Sequence, residues 1–342
     1  MLERPAIEDQ TILACLSHDY GIPVARLDFL PLGADQNTAV FRAETATGDA
    51  YFVKVRFGSF DELAVTLPRY LSDLDIRQII PPLTTQTGTL WATLGDAALI
   101  LYPFIVGQSG RRVRLSEANW HEFGAALGRV HAAALPLRLH TALPRDAYSG
   151  RWAATLRQLL DRARSEAFTD PVAGEMAAYL RAKHSQILHL IHRAEELGRE
   201  LQNRGPDLVL CHGDIHASNV LVGEDGSFHM VDWDAPLLAP KERDLMYIGG
   251  AQGFVGGSAA QEEEHFYRGY GQVKVDWSAV AYYRYARIVE DLALYGEQLL
   301  LSAAGGADRP QALIYVRSNF LPDGTIDAAR RADAMQYRIE AK

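Results

Sequence analysis

The chain reads as an α+β fold of two lobes, a small, mainly β amino-terminal lobe over residues 1–106 and a larger helical lobe over 107–342 with a hairpin at its centre. Three observations predict this. Strand-like runs crowd the first hundred residues, helical periodicity takes over after residue 107, and one hairpin signal, Asp225-Gly226, stands among the helices. Strands followed by helices, rather than the two alternating, argue against a doubly wound sheet. At 342 residues the chain can bury a sizeable core.

Taken in order, Phe29 to Ala43 predicts two strands joined by a small polar loop, Gly33 to Thr38. Tyr51 to Phe57 predicts a strand with Tyr51, Val53, Val55 and Phe57 on one face and Phe52, Lys54 and Arg56 on the other. A helix is expected from Asp61 to Leu74, although Pro68 removes a backbone hydrogen bond inside it. Leu99 to Ile105 predicts a buried strand running into the connection between lobes. Beyond it, Ser116 is a natural N-cap for a helix lined by Phe123, Leu127 and Val130. Asp170-Pro171 supplies a cap and a first-turn proline for a long helix marked by Met176, Leu180, Ile187, Ile191 and Leu201. Ala279 to Leu301 predicts another, with Val280, Ile288, Leu292 and Leu299 on its apolar side.

The chemistry concentrates in Cys211-His212-Gly213-Asp214-Ile215-His216-Ala217-Ser218-Asn219, followed by Val231-Asp232-Trp233-Asp234. An acid, an amide five residues on and a second acid occur in the order that kinase-type phosphoryl transfer uses. There one acid orients the attacking hydroxyl, while the amide and second acid hold magnesium. A two-residue loop at Asp225-Gly226 opposes Asn219 to Asp232, with Cβ atoms roughly 5 Å apart. That spacing suits two oxygen ligands on one small hard cation. A four-residue loop would instead oppose Asn219 to Met230.

Such a site needs a strand lysine on the nucleotide phosphates, and Lys54 is the candidate; Glu62 is its candidate partner or, equally, a first-turn acid favoured by the helix dipole. Backbone amides of the loop holding Gly33 and Asp35 are placed to cover the phosphates. Tyr102, Phe104 and Ile105 then meet the adenine edge.

Composition narrows the function classes. Hydrophobic content of 48% and charged content of 23% are ordinary for a globular protein. A net charge of −9 speaks against a nucleic-acid surface and accords with a cationic ligand. Cys15 and Cys211 are too few for a disulfide framework or zinc site. No apolar signal core opens the chain, and the run from Ala97 to Val106 is too short to span a bilayer, so a cytoplasmic protein without membrane partners is expected.

These residues resemble the aminoglycoside phosphotransferase family over roughly residues 5 to 300. The resemblance is carried by Gly33-Ala34-Asp35, Tyr102-Pro103-Phe104-Ile105, Cys211 through Val222, Leu238 through Met246, and Arg287-Ile288-Val289-Glu290-Asp291. It implies a two-lobed protein-kinase-like fold that uses ATP and Mg2+. The implied reaction moves the γ-phosphate to a hydroxyl of a small cationic aminocyclitol or aminoglycoside, spectinomycin first, and confers resistance. By position, Asp214 becomes the catalytic acid, Asn219 and Asp232 the magnesium ligands, and Lys54 the phosphate contact. Two departures from protein kinases stand out: Gly213 replaces an arginine, and Asp234 replaces the glycine after the metal-binding acid. The first suits an enzyme without an activation loop.

A cationic acceptor calls for carboxylates, and the candidates are Glu242, Asp244, Glu290 and Asp291, with Trp233 as a wall and Asp234 assisting metal or substrate. Plainer roles compete with these. Asp234 equally suits a cap on the next turn, and Asp291 can pair with Arg287 four residues before it. Glu262-Glu263-Glu264 reads as a solvated helix face, and His212 and His216 as hydrogen-bonding scaffolds of the loop. Two other functions stay open. One is a metabolite kinase for choline, an amino sugar or a hydroxy amino acid. The other is a catalytically silent kinase-like binding protein, against which the intact set Lys54, Asp214, Asn219 and Asp232 weighs.

Overall fold

The computed structural model of the chain describes residues 4–33, 37–302, 306 and 308–340. β1 (Val24–Leu30), β2 (Thr38–Thr45), β3 (Ala50–Phe57), β4 (Ala92–Leu94) and β5 (Ala97–Pro103) form one antiparallel sheet in the order β1-β2-β3-β5-β4. Alternation sends Phe41, Val53, Val55, Leu99 and Leu101 to one buried face. α1 (Asp9–Tyr20) closes that face with Ile12, Cys15, Leu16 and Tyr20, and the Tyr20 hydroxyl donates to the Leu99 carbonyl at 3.0 Å. The opposite face of β3 turns Lys54 toward the helical lobe.

α2 (Leu63–Asp73) accommodates Pro68 in its interior. Its Leu63, Leu67 and Leu71, together with Ile76 and Ile79, pack into the core of the helical lobe, not into the core beneath the sheet. The two apolar clusters therefore do not part at residue 106.

α3 (Glu117–His131) begins at a reciprocal cap, in which Ser116 Oγ accepts from Asn119 N and Asn119 Oδ1 accepts from Ser116 N. α4 (Leu137–Ala142) and α5 (Arg151–Ser165) lead to α6 (Pro171–Arg204), a rod about 50 Å long. Asp170 caps α6 by accepting from Ala173 N at 2.8 Å. Between α3 and the later helices lie two small sheets. One contains β6 (Gly107–Ser109), β8 (Val220–Gly223) and β9 (Phe228–Met230), the other β7 (Val209–Cys211) and β10 (Leu237–Ala239).

α7 (Glu242–Leu245), α8 (Ala259–Tyr270), α9 (Trp277–Leu300), α10 (Asp308–Ser318) and α11 (Thr325–Glu340) complete the lobe. α9 starts two residues earlier than expected because Asp276 caps it, accepting from Ser278 N and Ala279 N. It runs through the centre of the lobe, against α5, α6, α7, α10 and α11. The solvated face expected of α8 holds for Glu264, which pairs with Arg268. Glu262 departs from that expectation: its carboxylate accepts from Gly249 N at 3.0 Å, and burial pushes its pKa up to about 7. None of the described helices is long and apolar enough to cross a membrane.

Candidate active site

The loop after β7 carries Asp214, and its shape follows from local backbone demands. Gly213 sits at φ 83, and a Cβ there would lie 2.4 Å from the Ala235 carbonyl oxygen, so only glycine fits. Asp244 holds the same loop from beneath. Fully buried, it accepts from Gly213 N and His212 N, each at 2.8 Å, and meets His131 Nε2 at 3.0 Å. Burial opposes its ionisation, but the contact with His131 outweighs burial and holds the carboxyl below its usual range. Asp244 thus supports the catalytic loop and does not line an acceptor pocket. His212 and His216 act as scaffolds: His212 Nε2 lies 3.0 Å from the Val231 carbonyl, and His216 Nδ1 accepts from Ser218 N at 3.1 Å.

The hairpin forms with a different register from the one expected. Val220 pairs with Met230 and Val222 with Phe228, and Gly223 N donates to the Ser227 carbonyl. The loop is therefore three residues, Glu224-Asp225-Gly226, with Gly226 at φ 84 and Asp225 Oδ1 accepting from Ser227 N and Oγ. Asn219 consequently opposes Val231, whose amide donates to the Asn219 carbonyl at 3.0 Å. Asp232 stands one residue beyond, in a left-handed turn at φ 66 that aspartate tolerates. Asn219 Nδ2 donates to the Asp214 carbonyl at 2.8 Å, and its Oδ1 has no partner among the described residues. The amide oxygen of Asn219 and the Asp232 carboxylate, whose side chain is 47% exposed, are donor types that fit a hard cation such as Mg2+.

On the side of the sheet, Lys54 is the hub. Its Nζ lies 2.7 Å from Asp232 Oδ1 and 2.8 Å from both oxygens of Asp234, while Arg56 pairs with Asp234. Burial would lower the Lys54 pKa, but the two carboxylates override it and hold the ammonium's proton more firmly than usual. Asp234 therefore belongs to this cluster, and it makes no cap hydrogen bond among the described residues. Glu62 does not partner Lys54: it is exposed, and its carbonyl accepts from Thr66 N and Oγ1 at the start of α2. Tyr102 packs edge-on against Phe52 from the neighbouring strand, with ring centroids 6.4 Å apart. Phe104 N donates to the Ala50 carbonyl at 3.2 Å, and Ile105 follows half-buried. Gly33 takes φ 84, whereas Asp35 lies outside the described residues.

On the other side of Asp214, α9 supplies Arg287, which bonds Asp214 Oδ1, reaches the Tyr247 hydroxyl at 3.1 Å, and donates from Nε to Asp291 Oδ1 at 2.9 Å. Burial opposes ionisation of Asp214, but Arg287 and then His216 prevail and hold its carboxyl well below the usual range. Glu290 is half-buried with no hydrogen-bond partner among the described residues. Tyr295 and Tyr315 follow, rings 5.7 Å apart, with the Arg111 guanidinium 5.8 Å from Tyr315. Sequence reading missed Tyr247, Tyr295, Tyr315 and Arg111, and saw Arg287 only as a partner for Asp291. Two other candidates fall inside the core. Trp233 is 4% exposed, donates to the Met230 carbonyl and packs 4.4 Å from the His212 ring. Glu242 is 2% exposed, accepts from Asp276 N at 3.0 Å and pairs with Lys241.

Solved structures of similar shape exist. Spectinomycin phosphotransferase APH(9)-Ia in complex with ADP and spectinomycin is 33% identical, matching 96% of this chain and 99% of that one with a TM-score of 0.89. Its AMP-bound complex matches at 33% identity over 94% and 98%, TM-score 0.85. Choline kinase LicA from Streptococcus pneumoniae, at 15% identity, covers 91% of this chain and 99% of its own, with a TM-score of 0.53, and shares the fold alone. The model of the phosphotransferase enzyme family, APH, matches residues 28–283. With that match spanning the sheet, the catalytic loop and most of the helical lobe, the chain belongs to the aminoglycoside phosphotransferase family, enzymes that transfer phosphate to a hydroxyl.

Proposed function

We propose that this enzyme transfers the γ-phosphoryl group of ATP to a hydroxyl of a cationic aminocyclitol, with spectinomycin the favoured acceptor, and thereby protects a host cell from that drug in the cytoplasm. The observation that carries this reading is the 33% identity, over nearly the whole chain, with a spectinomycin phosphotransferase that binds ADP and spectinomycin. Residues 1–106 bind the nucleotide, with Tyr102, Phe104 and Ile105 at the adenine edge, the loop of Gly33 and Asp35 over the phosphates, and Lys54 drawing them in. Residues 107–342 carry catalysis and the acceptor.

Asp214 aligns the acceptor hydroxyl and takes its proton as the oxygen bonds to the γ-phosphorus and the bond to ADP breaks. The transition state is loose, so positioning and charge compensation supply most of the rate. Asn219 and Asp232 are the residues that would hold magnesium, which when bound offsets the phosphate charge. Glu290 meets an ammonium group of the acceptor, Asp291 being held by Arg287, and Tyr295 and Tyr315 give its rings an apolar wall.

The test is ADP release by purified protein with spectinomycin, kanamycin, choline, ethanolamine and amino sugars offered in parallel. Release stimulated chiefly by spectinomycin, and resistance of an expressing host to it but not to kanamycin-type drugs, is the expected result. Preference for choline or another metabolite would replace this reading with a metabolite kinase.

A further inference from the structure

Asp214 is anchored asymmetrically. Its Oδ1 accepts from Arg287 Nη1 and lies 3.1 Å from the Tyr247 hydroxyl, whereas its Oδ2, among the described residues, makes no hydrogen bond and has His216 Nε2 at 3.6 Å, beyond hydrogen-bond reach. Arg287 is itself held on a rigid support. One turn earlier on α9, Arg284 is buried and donates to the carbonyls of Met246 at 2.9 Å and Ile248 at 2.7 Å, the two neighbours of Tyr247. It also donates to Ala328 on α11 at 3.0 Å. Two arginines three residues apart thus pin first the backbone around Tyr247, then the side chains of Tyr247 and Asp214.

We propose that Arg287 is a positioning residue for phosphoryl transfer: it fixes Oδ1 of Asp214 so that Oδ2 faces the acceptor and receives the proton. This rests on the reading of Asp214 as the proton acceptor. The step balances simply: the acceptor O–H bond breaks and its proton goes to Oδ2, the oxygen bonds to the γ-phosphorus, the bond from the γ-phosphorus to the bridging oxygen breaks, and ADP leaves with that electron pair on its β-phosphate. Once Asp214 is neutral, Arg287 still has Asp291 at 2.9 Å, so protonation strands no partly buried cation. Asp291 thereby serves the catalytic acid through Arg287, and Glu290 remains the acid free for the acceptor.

The experiment compares Arg287→Ala, Arg287→Lys and Asp214→Asn with the unmodified enzyme, using spectinomycin as acceptor and measuring kcat and both KM values. Arg287→Ala is expected to lower kcat by about 10²-fold, the cost of misplacing a reacting group, with the KM for ATP little changed. Dilute guanidinium should recover part of that loss in Arg287→Ala and none in Asp214→Asn. Arg287→Lys should fall between, because an ammonium keeps the charge but loses the planar fork. Near-normal kcat in either arginine variant while Asp214→Asn is inactive would overturn the proposal. So would a loss in Arg287→Ala that guanidinium leaves untouched. Should Arg287→Ala not fold, kcat and thermal stability of Arg287→Lys decide: lower kcat at unchanged stability supports the role, and unchanged kcat refutes it. Turnover retained by Asp214→Asn would instead refute the reading of Asp214 itself.

Discussion

The two sides of Asp214 solve opposite charge problems. Toward the sheet, two cations, Lys54 and Arg56, face two acids, Asp232 and Asp234, and every member is paired across a sequence separation of nearly 180 residues. Toward α9, Arg287 bonds Asp214 and Asp291, while Glu290, reached by the charges of Arg243 and Arg287, makes no hydrogen bond among the described residues. A balanced cluster is neutral until it takes in anion and cation together, as a magnesium nucleotide requires. An excess of carboxylate favours a cationic guest. Under the proposed function, nucleotide and acceptor would be selected by separate electrostatics on either side of one carboxylate.

The comparison breaks most completely at its centre. Asp214→Ala is expected to cost about 10²–10⁴ in kcat while ATP still binds, as calorimetric titration with nucleotide can show. Lys54→Met leaves Asp232 and Asp234 facing each other without their ammonium. The KM for ATP should then rise on the order of 10- to 100-fold, the worth of a charge-assisted contact, with the KM for the acceptor nearly unmoved. Glu290→Gln should act in mirror image, raising the acceptor KM by about tenfold and leaving that for ATP alone. Parallel shifts in both KM values from either substitution would merge the two sides into one.

The smallest effect lies outside the cleft, at Glu262. Its folded pKa of about 7 stands above its ordinary value of 4.5, so the folded chain binds more protons than the unfolded one between those values. Stability from this group is therefore lost as pH rises through that window. Glu262→Gln removes the slope, and its melting temperature should gain on the unmodified protein between about pH 4.5 and 7. A pH-independent difference would refute this.

What was legible beforehand divides along the same physical line. Asp214, Asn219 and Asp232 could be picked out as candidates because their residue types sit in one short stretch, and capped helices such as those behind Ser116 and Asp170 announce themselves locally. Contacts between distant segments were not readable. Glu62 looked like the partner of Lys54 because it is near in sequence, yet the ammonium goes to acids 178 and 180 residues away. Glu242 and Asp244 look like pocket acids in a sequence, but one fastens the start of α9 and the other holds backbone amides of the catalytic loop. The hairpin turned on Gly226: a glycine at positive φ serves two- and three-residue loops alike, so the register depended on how Asp225 and Ser227 pair.

The most direct test is phosphorus NMR of the products formed from ATP and spectinomycin by the unmodified enzyme and by Asp214→Asn. A phosphate monoester signal from the first, and none from the second while it still binds ATP, is the expected outcome. Inorganic phosphate as the sole product of the unmodified enzyme, or ester formed equally well by Asp214→Asn, would contradict a carboxylate that takes the acceptor's proton while phosphate passes directly from ATP to the acceptor hydroxyl.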